Sequence, residues 1–560
     1  MNRRTLIEYA RYHFEEHPYH PAVTFVAADG SETPHNYLTF FNEAADYAAA
    51  LETAGIAAGD LVVLVMEQSV SVMAAFWGAL LIGAIPSIFP FINDKLDAEH
   101  YYSSIRQLIG FEGVRAVITF AKFEPELRAT LDDLDVEIIT TEALQATGDP
   151  AIYFARPLPD PEATAFLQHS SGSTGLQKGV MLSHRAVINQ IQEYEEAVDV
   201  MGNWSVIASW LPLYHDMGLI AAFIMPFKVG VHLVIMSPFE WVRQPVMLLQ
   251  AITRHHATHM WLPNFAYNFM ATRIRDAALA GVKLEALRWV VNCSEPVYAD
   301  SHRVFLKKYA AYGLSESALK VCYAMAENTF AVTQTPRKAQ PRLDLIDRKR
   351  FAEEKIAAPA DADAPSMEIV SCGVPLPNTQ VRVVSAEDGV LPDRHIGEIE
   401  ILSDCMLSGY YKRDDLNPFH DGWFMTGDMG YLADGELYVT GRKKDLIIVA
   451  GKNVYPQDIE NLLNDVPNVH PGRVVAFGVP NAQLGTEDIA VLVEAETDAQ
   501  AEDDEQRGGI VREVRARIAA NTEVTARYVE VLPPRQLIKT SSGKIARSAN
   551  RERFLGQLEE

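Results

Sequence analysis

Cysteine is scarce and scattered in this 560-residue chain: Cys293, Cys322, Cys372 and Cys405 form neither a CxxC pair nor a Cys/His cluster. This argues against a disulfide framework and a thiolate metal centre, and it suits a reducing compartment, with the cytoplasm as the expectation. Positive charge is also short. Lys and Arg number 49 against 74 Asp and Glu, for a formal net charge of −25, which opposes binding to nucleic acid or to an anionic membrane. The Walker phosphate motif is missing as well, because no Gly-Lys-Ser/Thr sequence closes the one glycine- and serine-rich loop. Residues Met1 to Ala10 turn acidic at Glu8 before any apolar stretch develops, so no signal peptide is expected there. One run, Val72 to Ile92, carries no charge and is long enough to span a bilayer. Gly83 and Pro86 break it, and the residues after Pro86 are strand-like, so it reads as a buried helix running into a buried strand.

What is present is the composition of a folded protein, 48% hydrophobic and 22% charged, in a chain long enough for two or more domains. Short apolar runs such as Leu61–Val65, Ala116–Phe120 and Trp289–Asn292 alternate with helix-length amphipathic stretches. This alternation predicts layered α/β structure with buried sheets.

The most informative stretch is Ser170-Ser171-Gly172-Ser173-Thr174-Gly175-Leu-Gln-Lys178, followed by Gly179. Its glycines permit tight turns and close approach, its hydroxyls and backbone N–H groups can surround phosphate oxygens, and Lys178 adds a cation. Apolar flanks on both sides predict a loop between two strands that cradles a polyphosphate. A flexible linker is the alternative, but it would normally lack the lysine and the ordered flanks.

Three further segments mark the organisation of the chain. Pro336 to Ala364 turns charged and proline-containing and reads as a surface insertion. The acidic tract Glu494 to Glu505, ending at Gly508-Gly509, reads as a solvated loop. Gly441-Arg-Lys-Lys-Asp445 follows a strand-like run and is a plausible domain boundary, with about 115 residues beyond it.

In order along the chain stand the phosphate loop, Tyr323-Ala-Met-Ala-Glu327-Asn, Gly397-Glu-Ile, Gly422-Trp-Phe-Met-Thr426-Gly-Asp428, Gly441-Arg442-Lys-Lys-Asp445 and Lys539-Thr-Ser-Ser-Gly-Lys544. With this set the chain resembles the adenylate-forming superfamily of acyl-CoA synthetases, luciferases and nonribosomal adenylation domains. Leu211-Pro-Leu-Tyr-His215-Asp216-Met-Gly218, Leu262-Pro-Asn-Phe-Ala-Tyr267, Asn292-Cys-Ser-Glu-Pro296 and a long interval between Glu327 and Gly373 make it most similar to the fatty acyl-AMP ligases.

The resemblance implies a large N-terminal domain of stacked mixed sheets and helices, 1–441 with an insertion at about 338–366, and a small mobile C-terminal α/β domain, 442–560. It implies ATP-dependent conversion of a carboxylic acid, expected to be a fatty acid, to acyl-adenylate and pyrophosphate. The acyl group then passes to a phosphopantetheine thiol, on an acyl carrier protein or, alternatively, on free CoA. A catalytically silent adenylate-binding scaffold is the reading from another class, and joint retention of Lys178, Glu327, Asp428, Arg442 and Lys544 argues against it. By resemblance, Ser170, Ser171, Gly172, Ser173, Thr174, Gly175 and Lys178 hold the β- and γ-phosphates and Glu327 binds Mg²⁺. Tyr323 stacks on adenine in a pocket lined by Ser294, Glu295 and Pro296, while Asp428 accepts from the ribose hydroxyls and Arg442 makes a second ribose or a phosphate contact. Lys544 bridges the substrate carboxylate and the α-phosphate, and Lys444 is the hinge.

Several alternatives stay open at this stage. Tyr312-Gly-Leu-Ser-Glu316 competes with Glu327 for the metal-ligand position, and Ala324 stands where the family has glycine. His215 either faces the substrate carboxylate or is a structural histidine. The six basic residues from Arg535 to Arg553 form either a docking face for an acidic carrier protein or ordinary solvated surface. Trp261, Phe265, Tyr267, Phe269 and Met270 predict an apolar pocket wall.

Overall fold

The computed structural model describes residues 3–92, 98–170, 178–385, 389–449, 452–481, 486–522, 524–540 and 543–559. Leu61–Val65, buried at every position, sits beside Ile85–Phe89 and Ala116–Thr119 in a four-stranded parallel sheet completed by Glu137–Thr140. Continuous apolar strands of this kind are what a sheet covered on both faces requires. The uncharged run resolves as expected into the buried helix Val70–Leu81 and the strand Ile85–Phe89. Ser69 caps the helix, its side chain accepting from the Val72 amide at 3.4 Å. At Gly78 a Cβ would lie 2.6 Å from the Ala44 carbonyl oxygen, so only glycine lets the helix Tyr37–Thr53 pack this closely. No helix among the described residues is long and apolar enough to cross a membrane.

Seven strands carry the site, and they are labelled in chain order. They are β1 (Thr164–Ser170), β2 (Lys178–Ser183), β3 (Trp289–Asn292), β4 (Leu319–Ala324), β5 (Gly409–Tyr410), β6 (Trp423–Ala433) and β7 (Glu436–Arg442). β1 and β2 form an antiparallel hairpin with Ser170 opposite Lys178, as the flanks of the phosphate loop predict, and β5 pairs with the outer side of β2. β3 and β4 are adjacent parallel strands in a nine-stranded mixed sheet that becomes antiparallel at its edges. β6 and β7 are antiparallel partners in a six-stranded sheet, and their register sets Asp428 opposite Arg442.

The residues after Arg442 build a three-stranded sheet from Val469–Asn481, Thr486–Ala495 and Ala526–Leu532, with helices against it. Their core, including Ile459, Val474, Val491, Val493, Val514 and Ile518, is distinct from the large cluster of the preceding residues.

The insertion is more ordered than a surface excursion. Leu343–Asp347 and Ser366–Val370 pair antiparallel around the helix Arg348–Glu354. Ile346 and Phe351 are buried with Tyr431, Tyr438 and Tyr455, whereas Leu343 and Leu345 of the strand that carries Ile346 stay exposed. The acidic tract is not a solvated loop either. Glu494 is a buried strand residue that accepts from the Leu537 amide at 2.7 Å. Asp498–Glu502 and Asp504–Asn521 are helices, the second containing Gly508 and Gly509. The acids cluster at helix starts, where exposed amides attract negative charge, and Asp503 accepts from the Gln506 amide at 2.8 Å. In the basic stretch, Arg547 donates to Asp445 and Glu460, Arg551 to the Gly478 carbonyl and Arg553 to the Gln536 carbonyl. Half of that stretch therefore holds the C-terminal residues together.

Candidate functional site

The parallel strands β3 and β4 end side by side, and the chain beyond their C-terminal ends forms one wall of a cleft of about 4060 Å³. Ligands in open α/β sheets bind at such strand ends, where side chains and free backbone groups converge. Ser294, Glu295, Tyr323, Asp428, Arg442 and Lys544 all line this cleft, with Pro296 and Lys444. Widely separated predictions are thus brought to one place.

Asp428 is the best-anchored acid. It is 7% exposed, and its Oδ2 accepts from the Tyr323 hydroxyl at 2.6 Å. Arg442 approaches Oδ1 at 3.2 Å from the paired position on β7. Burial pushes the Asp428 carboxyl up, and the Arg442 guanidinium and the Tyr323 hydrogen bond oppose that rise. In turn, Asp428 raises the Arg442 guanidinium. Tyr323 has its hydroxyl committed to Asp428, so its ring face is the part that can pack on a flat ligand. Lys444, beside Arg442, has its amine pushed down, first by burial and then by the Arg442 charge.

Lys544 enters from the C-terminal residues. The turn that presents it is closed by the Gly543 amide donating to the Thr540 carbonyl at 2.8 Å and the Thr540 amide to the Lys544 carbonyl at 2.7 Å. Its Nζ donates to the Ser294 carbonyl at 2.5 Å. Ser294 holds φ at 69°, a left-handed conformation uncommon outside glycine. The neighbouring Glu295 accepts from the Phe265 amide at 2.9 Å. Burial raises the Glu295 carboxyl, and the Lys544 ammonium works against it.

His215 and Asp216 lie at the start of the π-helix Met217–Ile224. At Gly218 a Cβ would come within 2.1 Å of the Pro212 carbonyl oxygen, so the His-Asp-Met-Gly order reflects a close packing of this helix under the preceding turn. Asp216 accepts from the Met217 amide at 2.8 Å. His215 Nε2 is buried without a hydrogen-bond partner among the described residues. Burial and the Lys544 charge push the His215 imidazole down to about 3, so it is neutral at physiological pH.

Glu327 sits in a helical turn just past β4. Its carbonyl accepts from the Leu407 amide at 2.8 Å and its Oε1 from the Tyr410 hydroxyl at 3.1 Å. Burial raises its carboxyl, against the Tyr410 hydrogen bond and the Arg442 charge. The competing Glu316 is exposed, in a helical turn that precedes β4 at the opposite end of the strand. On the β1–β2 hairpin, the Lys178 ammonium lies 5.0 Å from the Tyr410 ring centroid. Ser171, Gly172, Ser173, Thr174 and Gly175 lie outside the described residues. Ser170 and Lys178 are the paired ends of the strands that lead into them. On β1 of this hairpin His169 is buried between Ser87 Oγ at 2.7 Å and Glu112 Oε2 at 3.0 Å.

The expected apolar wall is only partly right. Phe265 and Phe269, one turn apart on the helix Asn264–Arg273, line the cleft together with Trp210, Tyr214 and Phe239. Trp261, Tyr267 and Met270 point into the core instead: the Trp261 indole donates to Tyr194 at 2.7 Å and the Tyr267 hydroxyl to the Val290 carbonyl at 3.1 Å. Sequence reasoning missed Tyr410 and the ring trio from distant segments. Tyr410 could be found only by pairing its strand with β2, and nothing local in the sequence announces that pairing.

Comparison with known proteins places this geometry in context. The family model described as AMP-binding enzyme matches residues 10–411. The medium-chain fatty acid acyl-carrier-protein ligase JamA of Moorena producens is 30% identical over 514 residues, covering 88% of this chain and 85% of JamA. The long-chain fatty acid AMP ligase FadD32 of Mycolicibacterium smegmatis is 31% identical, covering 89% of this chain and 85% of FadD32. A structure from a study of fatty acyl-adenylate ligases of E. coli and L. pneumophila superposes with a TM-score of 0.88 at 27% identity, over 99% of this chain and 98% of the other.

Proposed function

The chain belongs to the AMP-binding enzyme family, and from that membership we propose that it is a fatty acyl-AMP ligase that loads a carrier protein. A carboxylate oxygen attacks the α-phosphorus of ATP, the bond to the β-phosphate breaks, and pyrophosphate leaves. A phosphopantetheine thiol then attacks the acyl carbonyl carbon, AMP leaves, and the thiol proton passes to solvent. The observation that carries this reading is the seat of Lys544 on the Ser294 carbonyl, in the cleft that Asp428 and Arg442 also line and near enough to His215 for its charge to act on the imidazole. An ammonium there can neutralise an entering carboxylate and the α-phosphate together, which lowers the cost of bringing two anions into contact.

In this reading Asp428 accepts from the ribose hydroxyls, Tyr323 packs on adenine against Ser294, Glu295 and Pro296, and Lys178 with Ser170–Gly175 holds the β- and γ-phosphates. The carboxylate nucleophile is already ionised at neutral pH and needs no general base. Phe265, Phe269 and Tyr214 give the acyl chain an apolar wall. Glu327 suits Mg²⁺: desolvation of its half-buried carboxyl pushes it up, and a cation beside it compensates for that loss of water. Bound there, the ion would supply positive charge to the phosphates.

We place the boundary between a 1–441 core domain and a mobile 442–560 domain at the end of β7, with Lys444 as the hinge. The separate C-terminal core supports this division. The four buried free thiols suit a reducing cytoplasm.

Free CoA is the alternative acceptor, and the insertion disfavours it. Arg348 donates to the Asn521 carbonyl at 2.5 Å and Phe351 packs on Tyr455 with ring centroids 5.4 Å apart, so the insertion grips residues of the C-terminal domain. A pyrophosphate-release screen over carboxylic acids identifies the substrate, after which thioester yield is measured with CoA and with a phosphopantetheinylated carrier protein. Fatty acids should give acyl-adenylate that passes to the carrier protein and poorly to CoA. Transfer to CoA as efficient as to the carrier would favour an acyl-CoA synthetase, and absence of pyrophosphate release from any acid would favour the silent scaffold.

A further inference from the structure

We propose that Tyr410 is a positioning residue that sets Lys178 and Glu327 across the phosphate site, its hydroxyl fixing the carboxylate and its ring face seating the ammonium. The proposal rests on the roles given above to those two charged groups and extends them to a third residue. The Tyr410 hydroxyl donates to Glu327 Oε1 at 3.1 Å, and the Lys178 Nζ lies 5.0 Å from the centroid of the same ring. A cation at that distance from an aromatic face is attracted by the ring quadrupole, more strongly where water is excluded. Tyr410 is 6% exposed, so water competes little with either contact.

The backbone makes the tyrosine a strut rather than a loose contact. β5 pairs with β2 through Tyr410 opposite Val180 and Gly409 opposite Met181. The Ser408 amide donates to the Met181 carbonyl at 2.9 Å and the Tyr411 amide to the Gly179 carbonyl at 2.8 Å. On the other side the Leu407 amide donates to the Glu327 carbonyl at 2.8 Å. Residues 407–411 are therefore bonded through their main chain to the strand that carries Lys178 and to the turn that carries Glu327. The side chain between them repeats that link at the level of the charged groups. Glu327 is held further by its neighbours: Asn328 donates to the Ala331 carbonyl at 2.8 Å, and the Thr329 hydroxyl to the Cys405 carbonyl at 2.7 Å. The consequence is an acceptor kept at the hydroxyl edge and a cation over the face of one ring, each aimed by the same residue. Packing alone would require neither the hydroxyl bond nor the seated ammonium.

The two arms separate experimentally, using the full-length enzyme and ATP binding measured by calorimetry without a carboxylic acid, in EDTA and in Mg²⁺. Tyr410→Phe keeps the ring and its packing. It should leave metal-free ATP affinity within about twofold of wild type while reducing the gain in affinity produced by Mg²⁺ by about tenfold, the scale of a hydrogen bond to a charged group. Tyr410→Leu should in addition weaken metal-free binding by about two- to tenfold, and that extra loss should vanish in a Lys178→Met background. A full Mg²⁺ gain in Tyr410→Phe, or an equal Tyr410→Leu loss with and without Lys178, overturns the assignment. Glu327→Gln and Lys178→Met serve as controls. If the first keeps the full Mg²⁺ gain, or the second the full metal-free affinity, the ligand roles themselves fall and the tyrosine's role falls with them. If both controls respond and the Tyr410 variants do not, only the tyrosine's role is refuted. Should Tyr410→Leu fail to fold, the Tyr410→Phe arm decides alone.

Discussion

Replacing Arg547 with leucine removes a cation that stands between two carboxylates, Asp445 and Glu460, of the C-terminal residues. Its guanidinium donates to Asp445 at 2.7 Å, to both Glu460 oxygens at 2.8 and 2.9 Å, and to the Ala476 carbonyl at 3.0 Å. The Arg547, Asp445 and Glu460 side chains are 18%, 15% and 20% exposed, so the abandoned carboxylates are only partly rehydrated. One-sided removal from a buried pair costs about 3–5 kcal/mol, and the residual exposure here sets the expectation at the lower end, about 3 kcal/mol. At about 1.4 kcal/mol per decade, that is a loss of roughly a hundredfold in protection. The assay is hydrogen exchange by mass spectrometry on peptides covering Val469–Asn481 and Thr486–Ala495, the sheet against which Arg547 holds its neighbours. Neutralising the stranded acids as well, with Asp445→Asn and Glu460→Gln in the same chain, should recover most of the loss. Unchanged protection in Arg547→Leu, or no recovery in the triple variant, would refute the reasoning. Arg547 also follows Lys544 by three residues and grips Asp445 beside Lys444, so the single variant should slow adenylation by loosening the path between the lysine proposed to react and the proposed hinge.

Lys544→Ala should leave ATP binding nearly intact and lower acyl-adenylate formation by on the order of a hundredfold or more; a wild-type rate of pyrophosphate release would remove the lysine from the mechanism. Glu327→Gln should weaken metal-dependent turnover far more than Glu316→Gln, because the first is half-buried and bonded to Tyr410 and the second is exposed before β4; equal effects would reverse the choice. His215 has a folded pKa of about 3, below the ordinary value of 6.5. It therefore binds no proton in the folded enzyme above about pH 4, and its contribution to stability is present above pH 6.5 and lost as pH falls toward 3. The rate profile between pH 5 and 9 should keep its shape in His215→Phe even where the rate drops, and a limb that disappears in that variant would contradict the burial argument. Phe351→Ala with Arg348→Ala should raise acyl-CoA formation while leaving adenylation largely unchanged. The pair loosens the insertion without removing Ile346 from the core that a full excision would open, and an unchanged ratio of CoA to carrier-protein product would free the insertion from any role in acceptor choice.

Local signals in the sequence were enough for the buried strands, the broken apolar run and the phosphate hairpin, since each depends on the character of contiguous residues. The motif residues Ser294, Tyr323, Asp428, Arg442 and Lys544 were also legible, and the structure gathers them around one cleft. Less legible was whatever depends on a partner far along the chain. Trp261 and Phe265 look alike as aromatic residues near a motif, yet one bonds to Tyr194 in the core and the other lines the cleft. The acidic tract was misread because charge was taken for solvation, whereas Asp503 and its neighbours serve as the start of a helix. Arg547 looked like one charge in a basic face, and only the fold brings Asp445 and Glu460 to it.

The seat of Lys544 also bears on which compounds the enzyme can select. The Ser294 carbonyl is a neutral acceptor, and an ionised acid that takes the ammonium from it offers a charged one. The exchange favours a carboxylate, while an ester, amide or alcohol of the same shape offers only another neutral oxygen and gains nothing from it. With Lys544 in the role proposed for it, discrimination by charge follows from the main chain at residue 294, ahead of any fit of the hydrocarbon, and it should persist when the apolar wall is remodelled to accept acids of other lengths.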